Sequence, residues 1–452
     1  MTLDRPAHVV AVFGGACSGS VAAEHLAERG VYVVVYEQNL RPYGKIEDGL
    51  PRWHRAQRRM EYGKIDGRLD RPGVLFVPCT RLGADIEFPD VVSWGWSAVL
   101  LGNGAWRDRP LEVPDAERYV DRGLVYQNPF VYWFNHMNEA RYDGPRYKVE
   151  PGAICVGGGL ASIDVIKIIQ LELYGGALRA RGVDVSMYDL EHHGIPAVCQ
   201  EHGVDPKSLG VDDGWLVYRR RVEDMPLTTA PPKATPEQLE KVGTVRRRIL
   251  QKAQDKYLFR VRALALPQSL IVEDGRAVGL RLCETTLDGN RVVPLPEQIF
   301  ELRSDLIVSS IGSIPEPIPG VVMKGGYYDY ADWDTGRYRA VPGVFGIGNV
   351  VTGRGNIKAS QDHGKQVAQY LVEQYLGTEA SDAHDLGALT QAAEARGATA
   401  AQAVAAHLET VAPLAPGKAN ELLARVVARQ REVHYNGSYR EWIDAVTPAD
   451  LE

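Results

Sequence analysis

The sequence predicts an α/β protein with two Rossmann-like dinucleotide-binding units and a C-terminal helical extension, and three observations carry that expectation. An apolar strand enters a glycine turn that opens a helix at Val9–Gly19, and the arrangement recurs about 140 residues later at Ile154–Ser162. Such a turn sets a pyrophosphate on a helix N-terminus, whose first N–H groups lack intrahelical partners. The third observation is the charge at the end of each turn's next strand: Glu37 in the first unit, Arg219-Arg220-Arg221 in the second.

In the first unit, the strand His8–Phe13 leads through Gly14-Gly15-Ala16-Cys17-Ser18-Gly19 into a helix pattern at Ser20–Arg29, then the strand Val31–Tyr36 and Glu37. A carboxylate there accepts from the hydroxyls of an adenosine ribose. Ala16 stands where the middle glycine lets the backbone approach the pyrophosphate; one methyl predicts an adjusted approach and a retained site. Ser97–Gly104 closes this unit as an apolar strand and glycine turn beside the same site.

The second unit runs from Ile154 through Gly157-Gly158-Gly159-Leu160-Ala161-Ser162, with Ser162 at the third glycine position. A polar stretch, 175–214, is long for a connection and is expected to fold as added helix. The strand Trp215–Tyr218 then delivers the arginines to where an adenosine 2′ position lies, and guanidinium there accommodates a 2′-phosphate. The two sites are thus chemically differentiated, one suited to a dinucleotide without that phosphate and the other to NADP(H).

Farther on, Val344–Asn349 and Thr352–Ile357 form another glycine-bearing turn before a helix pattern at Lys358–Leu371. The last region, about 377–452, is alanine-rich and amphipathic in pattern, with Leu422, Leu423, Val426 and Val427 on one face. Packing, a dimer contact or a lid would each suit it.

Composition excludes several classes. The 452 residues are 45% hydrophobic and 24% charged, ordinary for a globular protein of two or three domains. A formal net charge of −7 argues against general nucleic-acid affinity. No apolar run is long enough to span a bilayer and no basic leader precedes the first strand, so the chain reads as cytoplasmic. The five cysteines, Cys17, Cys79, Cys155, Cys199 and Cys283, include no close pair, which disfavours a redox dithiol or an iron–sulfur ligand set. Cys199 with His192, His193 and His202 lacks a second close pair at zinc spacing, so no metal is expected.

At Tyr36–Gly44, Lys45–His54, Phe130–Asn135, Gly157–Asp164, Tyr218-Arg219-Arg220 with Met225-Pro226, and Gly348–Ile357, the chain resembles the adrenodoxin reductase group of FAD-containing ferredoxin–NADP(+) reductases. It shares segments with the small subunit of glutamate synthase. The matches keep the family's order over roughly residues 8–375. The resemblance implies an FAD domain of residues 1–114 and 319–376, an inserted NADP(H) domain of 115–318, and an extension of 377–452. It implies FAD contacts at Gly14, Gly15, Ala16, Ser18, Gly19, Glu37, Gln38, Gly44, Lys45, near Val77, at Gly104, and at Gly348, Asn349, Gly355, Asn356 and Ile357. NADP(H) falls to Gly158, Gly159, Leu160, Ala161, Arg219 and Arg220, with Arg221 an additional candidate.

Three departures mark the match: Ala16, Asn349 in place of a flavin-side tryptophan, and a following turn one residue shorter. The implied activity is hydride transfer from NADPH to flavin, then passage of single electrons to a ferredoxin or flavodoxin-type protein. His54 is a candidate for tuning the flavin, with a structural hydrogen-bonding role as the alternative. Glu237 and Glu240 are candidates for a family glutamate near the nicotinamide. Arg246, Arg247, Arg248, Lys252, Lys256, Arg260 and Arg262 offer a basic landing surface for an acidic partner. A flavoenzyme acting directly on a small organic molecule and an electron-transfer subunit of a larger complex remain open.

Overall fold

The computed structural model describes residues 2–140, 142–228, 230–231, 234–352 and 385–448. The chain opens with β1 (Val9–Phe13), α1 (Cys17–Ala27), β2 (Tyr32–Tyr36), α2 (Lys45–Asp48), α3 (Arg55–Leu69), β3 (Val74–Val77), α4 (Phe88–Ser93), β4 (Ala98–Leu101) and β5 (Arg107–Asp108). Strands β4, β1, β2 and β3 lie parallel in that order, with Val10 opposite both Val33 and Ala98. Their near-continuous apolar character follows from cover on both faces. Val10 and Val12 pack with Ala22, Leu26, Ile65 and Leu69 of α1 and α3, while Val9, Ala11 and Phe13 join the opposite layer.

The C-terminal region supplies part of both covers. Helix Asp385–Thr410 sends Ala400, Ala401, Val404 and Leu408 into the α1 layer. Helix Pro416–Glu432 sends Leu422, Leu423 and Val426 into the opposite one. The amphipathic faces therefore meet the first sheet, a partner that periodicity alone could not name.

The middle of the chain carries β6 (Leu124–Tyr126), α5 (Gln127–His136), β7 (Ile154–Val156), α6 (Leu160–Ala180), α7 (Met187–His193), α8 (Ile195–Glu201), β8 (Trp215–Val217), α9 (Pro236–Tyr257), β9 (Arg260–Arg262), β10 (Ala265–Glu273), β11 (Arg276–Asp288), β12 (Arg291–Arg303) and β13 (Ile307–Ser309). A second parallel sheet runs β6-β13-β7-β8-β9. Residues of α5, α6 and α9, among them Phe130, Ile163, Ile166 and Ile249, form the core on one face. The antiparallel meander β10-β11-β12 covers the other, packing Ala265, Ala277, Leu280 and Leu282 against Ile154, Val156 and Val217. Within 175–214 the chain completes α6 and forms α7 and α8.

After β14 (Ser313–Ile314), β15 (Met323–Lys324), β16 (Tyr327–Tyr328), β17 (Tyr330–Asp332) and β18 (Arg337–Tyr338), the strand β19 (Val344–Gly346) pairs parallel to β4, and α10 (Asn349–Thr352) follows. The chain thus returns to the first sheet. The outgoing and returning connections lie side by side, β5 pairing with β14 and Asp108 standing opposite Ser313. Among the described residues, no helix is long and apolar enough to cross a membrane.

Candidate functional site

The first turn is built on contacts that only glycine permits. Gly14 has φ +102°, and a Cβ there would lie 2.4 Å from the Gly102 carbonyl oxygen; one on Gly19 would lie 1.8 Å from the Gly14 carbonyl oxygen. These approaches press α1 against the ends of β1 and β4. Among the described residues no side chain caps α1, so its leading N–H groups are left for a ligand. Ala16 meets its counterpart in Gly44: a Cβ on Gly44, at φ +52°, would touch the Ala16 methyl at 3.0 Å.

Glu37 is buried at the end of β2. Its carboxylate accepts from the N–H groups of Gly15 at 2.9 Å and Asn39 at 3.0 Å. Burial pushes its pKa up to about 7, against the pull of those hydrogen bonds. A cavity of about 590 Å³ opens here, lined along the turn by Gly14, Ala16, Cys17 and Ser18 and beside it by Glu37, Gln38, Gly44 and Lys45. Gly104, Gly348 and Asn349 also line it. Gly348 abuts the start of α1, where a Cβ would lie 2.4 Å from Ser18 Oγ.

Asn103 belongs to the turn Ser97–Gly104 expected beside the site, but sequence reasoning missed other walls of this cavity: Thr80–Ala84 after β3, Trp106 after β4, and Ala393 and Arg396 of the C-terminal helix. The turn following β4 signalled the second group. Nothing local signalled the third, since Gly397 reaches Ser18 only in the folded chain, a Cβ there lying 2.4 Å from its carbonyl oxygen. Val77 is itself fully buried in the sheet and gives its carbonyl to the Glu37 N–H at 2.9 Å; the residues after it reach the cavity.

Lys45 extends along the cavity wall to the segments that join the two sheets. Its Nζ donates to Asn128 Oδ1 at 3.0 Å and Ser313 Oγ at 3.1 Å and sits 5.5 Å from the Trp106 ring centroid. Burial lowers the pKa of this amine and raises that of Asp108, and their mutual attraction opposes both shifts. The loop from Lys45 to Arg55 continues as a seam. Asn135 donates to the carbonyls of Glu47 and Leu50, Trp53 packs edge-on against Phe134, and the Arg55 guanidinium lies 4.0 Å from the Tyr188 ring centroid.

His54 belongs to this seam. It is buried at the start of α3, with Nε2 4.0 Å from Asp164 Oδ1 of α6. Among the described residues it is not one of those lining the cavity. Beyond Asp164, the fully buried Lys167 ammonium pairs with Glu191 of α7 at 3.0 Å.

The second turn repeats the cradle with different chemistry. A Cβ on Gly157 would lie 2.2 Å from Ser162 Oγ, and one on Gly158 would enter the Tyr218 ring at 2.3 Å. Ser162 is buried and donates to the Ser310 carbonyl at 3.0 Å, so a hydrogen bond ties α6 to the end of β13 where a third glycine would give bare contact. Gly159 caps α6 without a side-chain hydrogen bond, and Leu160 begins the helix. Ala161, in the first turn of α6, lines the cavity of the first unit, as does Gln127 of α5.

After β8, Arg219 is exposed and its guanidinium makes no hydrogen bond or ion pair among the described residues. Arg220 donates to the Asn290 carbonyl at 2.9 Å, and Arg221 holds Asp224 through two bonds, 3.0 and 3.2 Å. Much of the basic stretch beyond is engaged internally. Arg246 donates to the carbonyls of Glu223 and Thr228, Arg247 pairs with Glu223, Arg260 with Asp212, and Arg262 with Glu284. Glu237 and Glu240 stand exposed at the start of α9, Glu237 accepting from the Thr235 hydroxyl at 2.9 Å. Gly355, Asn356 and Ile357 lie outside the described residues.

No family model matches the chain. Among curated proteins it is 25% identical over 384 residues to the glutamate synthase [NADPH] small chain of Mycobacterium tuberculosis, covering 81% of this chain and 66% of that one. It thus spans just under two thirds of that relative's length. It is 24% identical over 166 residues to the mitochondrial NADPH:adrenodoxin oxidoreductase of Arabidopsis thaliana, 36% of this chain and 33% of that one. Among solved structures, Mycobacterium tuberculosis FprA in complex with NADPH superposes with a TM-score of 0.67 at 16% identity, covering 94% of this chain and 91% of FprA. That likeness establishes a shared fold.

Proposed function

We propose that the protein is an NADPH-dependent flavoprotein reductase that holds FAD at the first turn and NADP(H) at the second, and passes electrons to a ferredoxin-type acceptor. The observation that carries this reading is the convergence of the turns: the cavity that starts on Gly14–Ser18 and Glu37 is walled at another point by Ala161 of α6. Two dinucleotides seated on their turns would approach each other there, as hydride transfer requires. The names of the glutamate synthase small chain and adrenodoxin oxidoreductase support the choice of NADPH.

The residues fit a flavin dinucleotide. Uncapped α1 offers its first N–H groups to a pyrophosphate, the close backbone packing at Gly14 and Gly19 fixes that helix end against the sheet, and the buried Glu37 carboxylate suits ribose hydroxyls. Lys45 brings a cation to an otherwise largely apolar wall. Bound FAD would supply the two-electron to one-electron conversion. The protein's part is to fix the ligands, exclude water and set the local charge, with Lys45 held by Asn128 and Ser313. His54 acts through the seam, positioning the loop Lys45–Arg55 against α6. We assign residues 1–114 and 319–376 to the FAD domain, 115–318 to the NADP(H) domain and 377–452 to the extension. All five cysteines are free, which supports a cytoplasmic location.

Purified protein should show flavin absorption bands that bleach on anaerobic addition of NADPH and much more slowly with NADH. Reoxidation by ferredoxin, faster than by small organic acceptors, completes the expected pattern. A colourless protein that takes up no FAD would end this reading, and a preference for NADH would reverse the assignment of Arg219 and Arg220.

A further inference from the structure

We infer that Asp224 is a specificity-determining residue of the second turn, a carboxylate that weakens the preference of the neighbouring arginines for a ribose bearing a 2′-phosphate. The inference rests on reading that turn as the NADP(H) site. Three consecutive arginines suggest a strongly phosphate-selective pocket, but the structure divides them. Arg219 is exposed, with no hydrogen-bonding or ionic partner for its guanidinium among the described residues. Arg220 gives one N–H to Asn290 at the tip of the β11–β12 hairpin and holds its Nε 3.8 Å from Asp224 Oδ2. Arg221 is occupied by the two-point contact with the same carboxylate.

Asp224 is the fixed member of this group. Its side chain is 18% exposed against 57% for Arg221. Its backbone is pinned at both ends: the Tyr218 hydroxyl donates to its carbonyl at 3.1 Å, and its N–H donates to the Arg221 carbonyl at 3.0 Å. Arg246 braces the same loop from behind through the carbonyls of Glu223 and Thr228. Burial works against ionisation here, but Arg221 and Arg220 outweigh it and hold the carboxyl below the ordinary aspartate range. A dianionic phosphate drawn to Arg219 and Arg220 therefore meets a fixed negative charge, and it can recruit Arg221 only by breaking that residue's contact with Asp224. A ribose with a free 2′-hydroxyl meets an acceptor in the same place.

Calorimetric titration of the full-length protein with 2′,5′-ADP and with 5′-ADP, at one fixed ionic strength, tests this. Asp224→Asn keeps the shape and removes the charge; it should tighten 2′,5′-ADP by about threefold or more, the scale of a part-exposed charge pair, and leave 5′-ADP unchanged or weaker. Arg221→Gln leaves the carboxylate less compensated and should weaken 2′,5′-ADP by a similar factor. Opposite signs in two variants of one loop cannot arise from general damage to the fold. Equal affinity of wild type and Asp224→Asn for 2′,5′-ADP, with Arg219→Ala still weakening it, overturns the role of Asp224 and leaves the NADP(H) reading standing. If wild type binds both nucleotides alike and Arg219→Ala changes nothing, that reading falls and the inference with it.

Discussion

The two glycine turns share a backbone plan and differ in their surroundings. The first is enclosed: Gly102 closes on Gly14 in the turn, Gly348 and Gly397 of the helix Asp385–Thr410 close on Ser18 of α1, and its acidic partner Glu37 is buried. The second is open at the corresponding place, with Arg219 exposed and Arg221 more than half exposed. Enclosure suits a ligand that stays and exposure one that exchanges, since a ligand sealed by packed elements leaves only when they move. The difference teaches that a glycine pattern specifies a turn, while its neighbours specify the residence of the ligand bound there.

The largest expected effect comes from filling the enclosed turn. Gly19→Ala places a Cβ 1.8 Å from a backbone oxygen, which only a backbone shift can relieve, so a loss of roughly 3 kcal/mol or more is expected. Among the described residues a Cβ on Gly159 meets nothing nearer than Pro226 at 4.0 Å, and Gly159→Ala should cost no more than about 1 kcal/mol. Denaturant titration of the two variants measures the contrast, and flavin content of the purified proteins reports the same order. Similar losses at both positions would mean that the second turn is as closely packed at Gly159 as the first is at Gly19.

How far the sequence reveals this asymmetry depends on the range of the contacts. Glu37 and the arginines after β8 are legible because a strand delivers each to a fixed place relative to its turn. The engagement of Arg246, Arg260 and Arg262 is not, for their acceptors lie between 18 and 48 residues away and charge composition records no pairing. The run is thus partly paired with nearby acids, while Arg247 and Arg248 keep exposed guanidinium groups. The meander β10–β12 shows an alternating pattern within Arg276–Asp288, yet its role as cover for the second sheet depends on apolar partners in β7 and β8. Ser162, an irregularity in the glycine pattern, is explained by its bond to Ser310.

A smaller effect sharpens the chemical half of the comparison. Arg219→Ala removes a guanidinium that has no partner among the described residues, so it should act on ligand and spare stability. A charge-assisted contact of about 1.5–3 kcal/mol corresponds to roughly a tenfold to hundredfold rise in KM for NADPH, with little change for NADH. Steady-state kinetics with both nucleotides checks this, and an equal loss for the two would place Arg219 at the pyrophosphate.

The smallest effect concerns the seam that joins the two turns, and its sign follows from geometry. His136 of α5 places Nε2 3.0 Å from Asp48 of α2 and Nδ1 2.7 Å from Glu139. Both bonds at once require both ring nitrogens to be protonated, since a neutral imidazole donates through only one. Burial lowers its pKa, but the two carboxylates more than offset that and hold it at about 8. A raised folded-state value means that this contribution is fully present below the unfolded value, about 6.5, and is lost as pH rises through about 8. The stability difference between wild type and His136→Gln should therefore be on the order of 1–2 kcal/mol at pH 6, shrink across pH 6.5 to 8, and largely vanish by about pH 9. Denaturant titrations at those pH values follow it. A constant difference would show that His136 acts by packing against Tyr132 and not by its charge, leaving the seam between the enclosed and the exchangeable site insensitive to pH.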